Sequence, residues 1–229
     1  MKFGVIRFPG SCDEVDALMA CRRVGDAVIL WHGHRDLQGV DAVVVPGGFS
    51  YGDYLRVGAI ARFAPVMEEV AEFAAAGGLV LGICNGFQVL CEAGLLPGAL
   101  LPNTSLRFIF RQVELEVVTT DSPFTRACDP APPAPRLSIP VKHTTGRYYA
   151  PDDELARMES AEQVLLRYAP GANPNGSLND IAGVCNEQRN VFGLMPHPEH
   201  AVDPLTGPTG GLAIFESMRA HVADGAALV

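Results

Sequence analysis

The chain has 229 residues, 48% of them hydrophobic, and a formal net charge of −9, enough for one large domain around a sizeable buried core. An acidic balance without any run of Lys or Arg argues against nucleic acid or an anionic membrane surface as the main partner. No span reaches membrane length and the first ten residues lack the charged-then-apolar pattern of a secretory leader, so the expected location is the cytoplasm.

In chain order, residues 2–6 form a short, nearly continuous apolar run that reads as a strand buried on both faces, and residues 13–24 carry apolar positions at helical spacing up to a stop at Gly25. Residues 41–45 form a second buried strand running into Pro46-Gly47-Gly48, followed by a helix expected over 57–76 and stopped at Gly77. A third strand, 79–83, runs into Cys84-Asn85-Gly86 and a helix over 85–93. Residues 111–119 alternate like an antiparallel strand, 129–135 read as a rigid proline-rich loop, and 173–177 as a turn cluster. A fourth buried strand, 191–195, leads into Pro196-His197-Pro198-Glu199, and residues 213–222 form the closing helix. Strands alternating with helices give an α/β fold: an open, mainly parallel sheet flanked by helices, with a small antiparallel addition, in a single domain over 1–229.

In such sheets ligands bind beyond the carboxyl ends of the strands, where loops and helix N-termini gather free N–H groups. Three of these ends carry unusual residues. Gly82-Ile83-Cys84-Asn85-Gly86 is the cysteine counterpart of a nucleophile elbow, with glycines permitting a tight strand-to-helix turn and the helix dipole favouring a thiolate. Pro196 and Pro198 hold His197 and Glu199 in an extended segment, where side chains two apart share a face and the carboxylate can orient the imidazole. His197 then serves as base and acid to Cys84. The Gly48 and Asn85 N–H groups would form an oxyanion hole.

Other readings of these residues stay open: a Gly-Cys-Gly turn without chemistry, a redox-sensing cysteine, or a metal set of His197, Glu199 and His200. No metal site is expected, since the other pair, His32 and His34, follows a strand that need not lie nearby. His143 and His221 have no assigned role. The six cysteines lie without C-x-x-C pairs, as expected of reduced thiols, about five of them small buried hydrophobes. Cys91, two helical turns from Cys84, should face elsewhere.

Taken together, Phe49-Ser50-Tyr51-Gly52-Asp53, Cys84-Asn85-Gly86-Phe87-Gln88, Leu101-Pro102-Asn103-Thr104-Ser105, Asn173-Pro174-Asn175-Gly176-Ser177 and Pro196-His197-Pro198-Glu199 resemble the class I (triad) glutamine amidotransferases over nearly the whole chain. Within them the resemblance is to the glutaminase subunits that serve phosphoribosylformylglycinamidine synthesis in purine biosynthesis. It implies a flavodoxin-like sheet, a glutamyl thioester on Cys84 with His197 and Glu199 completing the triad, Gly48 in the oxyanion hole, and contacts to L-glutamine from Gln88, Asn103, Thr104 and Ser105. It also implies a large synthetase subunit as partner, with a small bridging subunit, and no cofactor in this chain, because ATP and Mg serve the synthetase. One stretch departs from the pattern: His143-Thr144-Thr145-Gly146-Arg147-Tyr148 has two threonines where the family carries Gly-Glu, and is expected to border the partner or the substrate.

Overall fold

The computed structural model describes residues 1–128 and 136–226; the proline-rich loop expected at 129–135 lies outside them. The elements are β1 (Lys2–Arg7), α1 (Glu14–Arg22), β2 (Asp26–Trp31), β3 (Ala42–Val45), α2 (Pro65–Ala75), β4 (Leu79–Ile83), α3 (Asn85–Glu92), β5 (Ala99–Pro102), β6 (Ile109–Val117), β7 (Arg136–His143), β8 (Thr145–Tyr149), α4 (Asp152–Ser160), β9 (Val164–Tyr168), β10 (Ile181–Cys185), β11 (Val191–Leu194) and α5 (Leu212–Ala226).

Nine strands form one sheet in the order β2-β1-β3-β4-β11-β10-β9-β6-β7. The first five are mutually parallel. Every residue of β3, β4 and β11 is buried, as their unbroken apolar runs dictate for strands covered on both faces. The remaining four strands continue the sheet in antiparallel fashion, and β5 with β8 makes a separate two-stranded ribbon. The antiparallel addition is therefore an extension of the main sheet, and its outermost strand, β7, reaches back to the segment after β11, where His197 N donates to Pro140 O.

The structure adds β5, β7, β8, α4, β9 and β10 to the expected elements, and two others depart from the sequence pattern. Strand β2, at the sheet's edge, is only partly buried, with exposed ends at Asp26 and Trp31, although Ala27 to Trp31 is an unbroken apolar run. The helix expected over 57–76 begins only at Pro65. Gly58 has φ +79°, and Pro65 keeps Ala64 extended at ψ 140°, because a residue before proline is excluded from the helical region. The segment before it is loop and a 3-10 turn at Ala61–Phe63.

Strands β3, β4 and β11 are adjacent and parallel in the sheet, pairing Val45 with Gly82 and Ile83 with Leu194. Their carboxyl ends therefore open side by side.

Candidate active site

The elbow is built by two facing glycines. A Cβ on Gly82 would meet the Gly86 carbonyl carbon at 2.9 Å, and one on Gly86 would lie 1.9 Å from the Val45 carbonyl oxygen, so helix α3 seats directly on the ends of β3 and β4 only because both side chains are absent. Cys84, at the cap of α3, is left with φ +50° and ψ −103°, a strained conformation for a non-glycine residue of the kind that concentrates at functional sites. Its amide donates to Leu194 O at 2.8 Å, which ties the elbow to β11.

His197 follows β11 and is 1% exposed. Its backbone N–H donates to Pro140 O of β7 at 2.8 Å, and its Nδ1 lies 2.6 Å from Glu199 Oε1. The expectation of an extended Pro196-to-Glu199 segment is corrected: Pro198–His200 is a 3-10 turn, begun by the proline's fixed φ. The turn brings the carboxylate within hydrogen-bond distance of Nδ1. Burial by itself would push the His197 imidazole pKa down, but the Glu199 carboxylate and the Cys84 sulfur outweigh it and raise it to about 10. The buried Nε2 has no hydrogen-bond partner among the described residues.

Cys84 and His197 line one cleft of about 120 Å³, shared with Gly48, Gln88, Asp53 and the β7–β8 segment Lys142 to Thr145. Gly48 has φ +147°, and a Cβ there would sit 2.7 Å from Cys12 N and from Gly10 O, so only glycine lets the loop after β3 zip against the loop after β1. The N–H groups of Gly48 and Asn85 donate to nothing among the described residues. The Asn85 side chain fixes their relative position: its Oδ1 accepts from Ser50 N at 3.0 Å and Ser50 Oγ at 2.6 Å, and its Nδ2 donates to Gln88 Oε1 at 3.0 Å.

Gln88 is buried and donates to Thr145 O at 2.6 Å, so it belongs to the cleft wall and not to the helix surface that spacing alone suggests. Asn103, Thr104 and Ser105 do not line the cleft. Asn103 is fully buried and donates through Nδ2 to Arg107 O and His143 O, holding the wall from behind, while Thr104 and Ser105 are exposed. Thr144 and Thr145 line the cleft, so the departure from the family pattern borders the reacting centre. His143 lines it too; burial chiefly, with the charge of His197, pushes its pKa down to about 3.

A profile for the CobB/CobQ-like glutamine amidotransferase domain matches residues 1–220. The chain belongs to this amidotransferase family. It is 58% identical over 221 residues to a phosphoribosylformylglycinamidine synthase subunit PurQ of Rubrobacter xylanophilus, covering 96% of this chain and 98% of that one. It is 57% identical over 218 residues to the protein of that name from Mycobacterium tuberculosis, covering 94% and 95%. A chain in the structure of PurLQS from Thermotoga maritima superposes with a TM-score of 0.87 at 41% identity, covering 96% of this chain and 98% of that one.

The amidotransferase cleft contains one group that the motif pattern does not mark. Asp13, at the start of α1, is 3% exposed; its Oδ1 accepts from Lys142 Nζ and lies 3.1 Å from His200 Nε2, and its Oδ2 lies 3.7 Å from His197 Nδ1. It closes the loop that leads from the carboxyl end of β1 to α1, so the rule that found the other three strand ends would have led to it if applied to the first strand. Asp13, His197, Glu199 and His200 each place one potential ligand atom within 4.8 Å of the others, which is the donor set of the metal alternative enlarged by one. An ion there would have to displace the Lys142 ammonium from Asp13 and the His197 ring from Glu199.

All six cysteines are free: Cys12 is exposed, because it rides on the zipped loop at the cleft mouth, Cys91 is half-buried, and the other four are buried, Cys84 among them where an elbow thiol was expected to be presented. Cys91 faces away, its Sγ 3.7 Å from Pro97 O, and burial pushes its thiol pKa far up. Among the described residues no helix is long and apolar enough to cross a membrane.

Proposed function

We infer that this chain is the glutaminase subunit of a phosphoribosylformylglycinamidine synthase, acting through Cys84, His197 and Glu199. The observation that carries the chemistry is the strained elbow cysteine at a helix N-terminus, sharing one cleft with a buried imidazole whose other nitrogen is bonded to a carboxylate. That is the nucleophile, base and orienter arrangement of covalent acyl transfer. Cys84 Sγ attacks the γ-carboxamide carbon of L-glutamine after losing its proton to His197. The developing oxyanion is met by the unpartnered N–H groups of Gly48 and Asn85, each such donor supplying about a hundred- to a thousand-fold in rate. The C–N bond then breaks as His197 returns the proton to the leaving nitrogen. Ammonia departs and leaves a glutamyl thioester. Water, deprotonated by His197, attacks the thioester carbon, and glutamate leaves as the thiol is restored. Glu199 stabilises the imidazolium in both half-reactions.

The pathway rests on identity above 50% to chains named as PurQ subunits, over almost their full length. The ammonia is passed to a large synthetase subunit, which converts formylglycinamide ribonucleotide to its amidine in an ATP-dependent step of purine biosynthesis; a small bridging subunit completes the assembly. ATP and Mg act on the synthetase, and the complex works in the cytoplasm. Gln88, at the cleft wall, contacts the glutamine substrate.

The test is glutamate release from glutamine by the purified chain, alone and with the cognate synthetase, in wild type and Cys84→Ala. Release that the synthetase stimulates and the substitution abolishes is the expected result. Undiminished release by Cys84→Ala would overturn the catalytic assignment.

A further inference from the structure

Two buried carboxylates flank His197, and a triad uses only one of them. Glu199 bonds to Nδ1 directly, while Asp13 Oδ2 approaches the same nitrogen at 3.7 Å, too long for a hydrogen bond and close enough for a strong charge interaction in a dry site. The fold is shaped around this approach. A Cβ on Gly47 would fall 2.4 Å from Asp13 Oδ2 and 2.8 Å from His197 Cε1, so Gly47 is the bare floor on which both side chains meet. The Gly47 carbonyl accepts from the N–H groups of Cys12 and Asp13 at 3.1 and 3.2 Å, which fixes the aspartate over it.

Asp13 is not spent on its own helix. It occupies the N-cap position of α1 yet makes no side-chain cap hydrogen bond, where a capping aspartate would normally turn its oxygen to the first turn. Its Oδ1 instead takes Lys142 Nζ from β7 and His200 Nε2. Burial would push its carboxyl pKa up, but those two donors and the His197 charge hold it well below the usual carboxylate range, so it stays ionised beside the ring.

We propose that Asp13 is a positioning residue for the amidotransferase reaction, its carboxylate serving as a second anion that holds protonated His197 in place while the thioester forms and is hydrolysed. This rests on the catalytic reading of His197 given above. The groups facing the ring from each surrounding element are Glu199 and His200 on its own turn, Asp13 from α1, Lys142 and His143 from β7, and Cys84 at α3; Cys21 of α1 lies behind Glu199. Asp13 and Glu199 are the anions among them besides a Cys84 thiolate. Removing the Asp13 charge also strips Lys142 of its partner, so both changes disfavour the imidazolium.

The experiment is an NMR titration of His197 in the full-length Cys84→Ala chain and in Cys84→Ala/Asp13→Asn, which needs no turnover and so separates this idea from the glutaminase reading. Asp13 makes no cap hydrogen bond, so Asn, which has its shape without the charge, removes none from the start of α1; should that chain fail to fold, Asp13→Ser is titrated in its place. The expected result is a fall in the His197 pKa of about one to three units, the range for loss of an opposite charge at this distance. In the chain that retains Cys84, Asp13→Asn lowers kcat with KM little changed and moves the acid limb of the pH–rate profile down, whereas a merely structural role lowers Tm and leaves the titration where it was. An unchanged His197 titration would overturn the proposal.

Discussion

At the residue scale the site is governed by two histidines that line one cleft with opposite electrostatics. His197 is surrounded by anions and its folded pKa is raised to about 10; the stability it contributes is fully present below the unfolded value of about 6.5 and is lost as pH rises through the folded one. His143 is buried without a charge partner, its Nε2 lacks a hydrogen bond among the described residues, and its folded pKa is depressed to about 3. Its sign is the reverse. Between about 6.5 and 3 the unfolded chain binds a proton that the folded chain refuses, so this group lowers stability progressively as pH falls through that window. Urea midpoints measured from about pH 7 to pH 4 should therefore fall in the wild type and fall less steeply in His143→Gln, which keeps a polar side chain and removes the titration. Equal slopes would show that the acid limb comes from other groups.

At the element scale the cleft depends on the junction of α3 with the loop after β3. That loop runs through Tyr51, Gly52, Asp53 and Leu55, all with positive φ, three of them non-glycine residues in a region that costs about 1–3 kcal/mol each. It persists because Asn85 anchors it, accepting twice from Ser50 while donating to Gln88 and to Asp53 Oδ1. Asn85→Ala would leave the buried Ser50 donors and the Gln88 acceptor unpaired, at about 1–3 kcal/mol, and would loosen the loop carrying Gly48. A misplacement of about 1 Å of such a group costs on the order of a hundred-fold in rate. The expectation is a lowered urea midpoint together with a drop of about that size in kcat/KM for glutamine. A loss of stability without a loss of rate would place Asn85 outside the alignment of the oxyanion donors.

At the scale of the whole molecule, the antiparallel half of the sheet closes the cleft that the parallel half opens. Strand β7 supplies Pro140 O to the His197 amide, Lys142 Nζ to Asp13, and Lys142 O within 3.9 Å of Cys84 Sγ. The mouth of the cleft is flanked by Phe49 and Phe108, each more than half exposed, and the loop and turn beyond Phe49 present Tyr54, Leu55 and Phe63 to solvent. A face of this kind around the cleft mouth suits the synthetase partner proposed above, since large exposed apolar groups mark interaction surfaces. Leu55 is 95% exposed and supports nothing in its own chain. Leu55→Asp should raise the Kd for the synthetase about ten-fold or more, the loss typical of one substantial apolar interface contact, as read by titration calorimetry, while leaving the isolated chain's Tm in place. An unaltered Kd would move the docking face elsewhere.

The amino-acid sequence by itself marked the central strands, the cysteine elbow and the pairing of His197 with Glu199: the strands by their unbroken apolar runs and the elbow by Gly82 and Gly86, whose missing side chains leave room for the turn. The 3-10 turn that sets the His197–Glu199 geometry was not legible, because two prolines fit an extended segment equally well. The edge position of β2 and the late start of α2 were less legible, the first because Ala27 to Trp31 is as unbroken an apolar run as those of the central strands although the strand is only partly buried, the second because Gly58 and Pro65 had to be weighed against helical spacing. Only the tertiary structure decided what surrounds the triad. Asp13 meets Lys142 across 129 residues of sequence, Gln88 turns inward because Thr145 accepts from it, and Asn103 is drawn behind the wall by the carbonyls of Arg107 and His143. No local pattern encodes those meetings, since they follow from β6 and β7 extending the parallel sheet and returning their far ends to its catalytic edge.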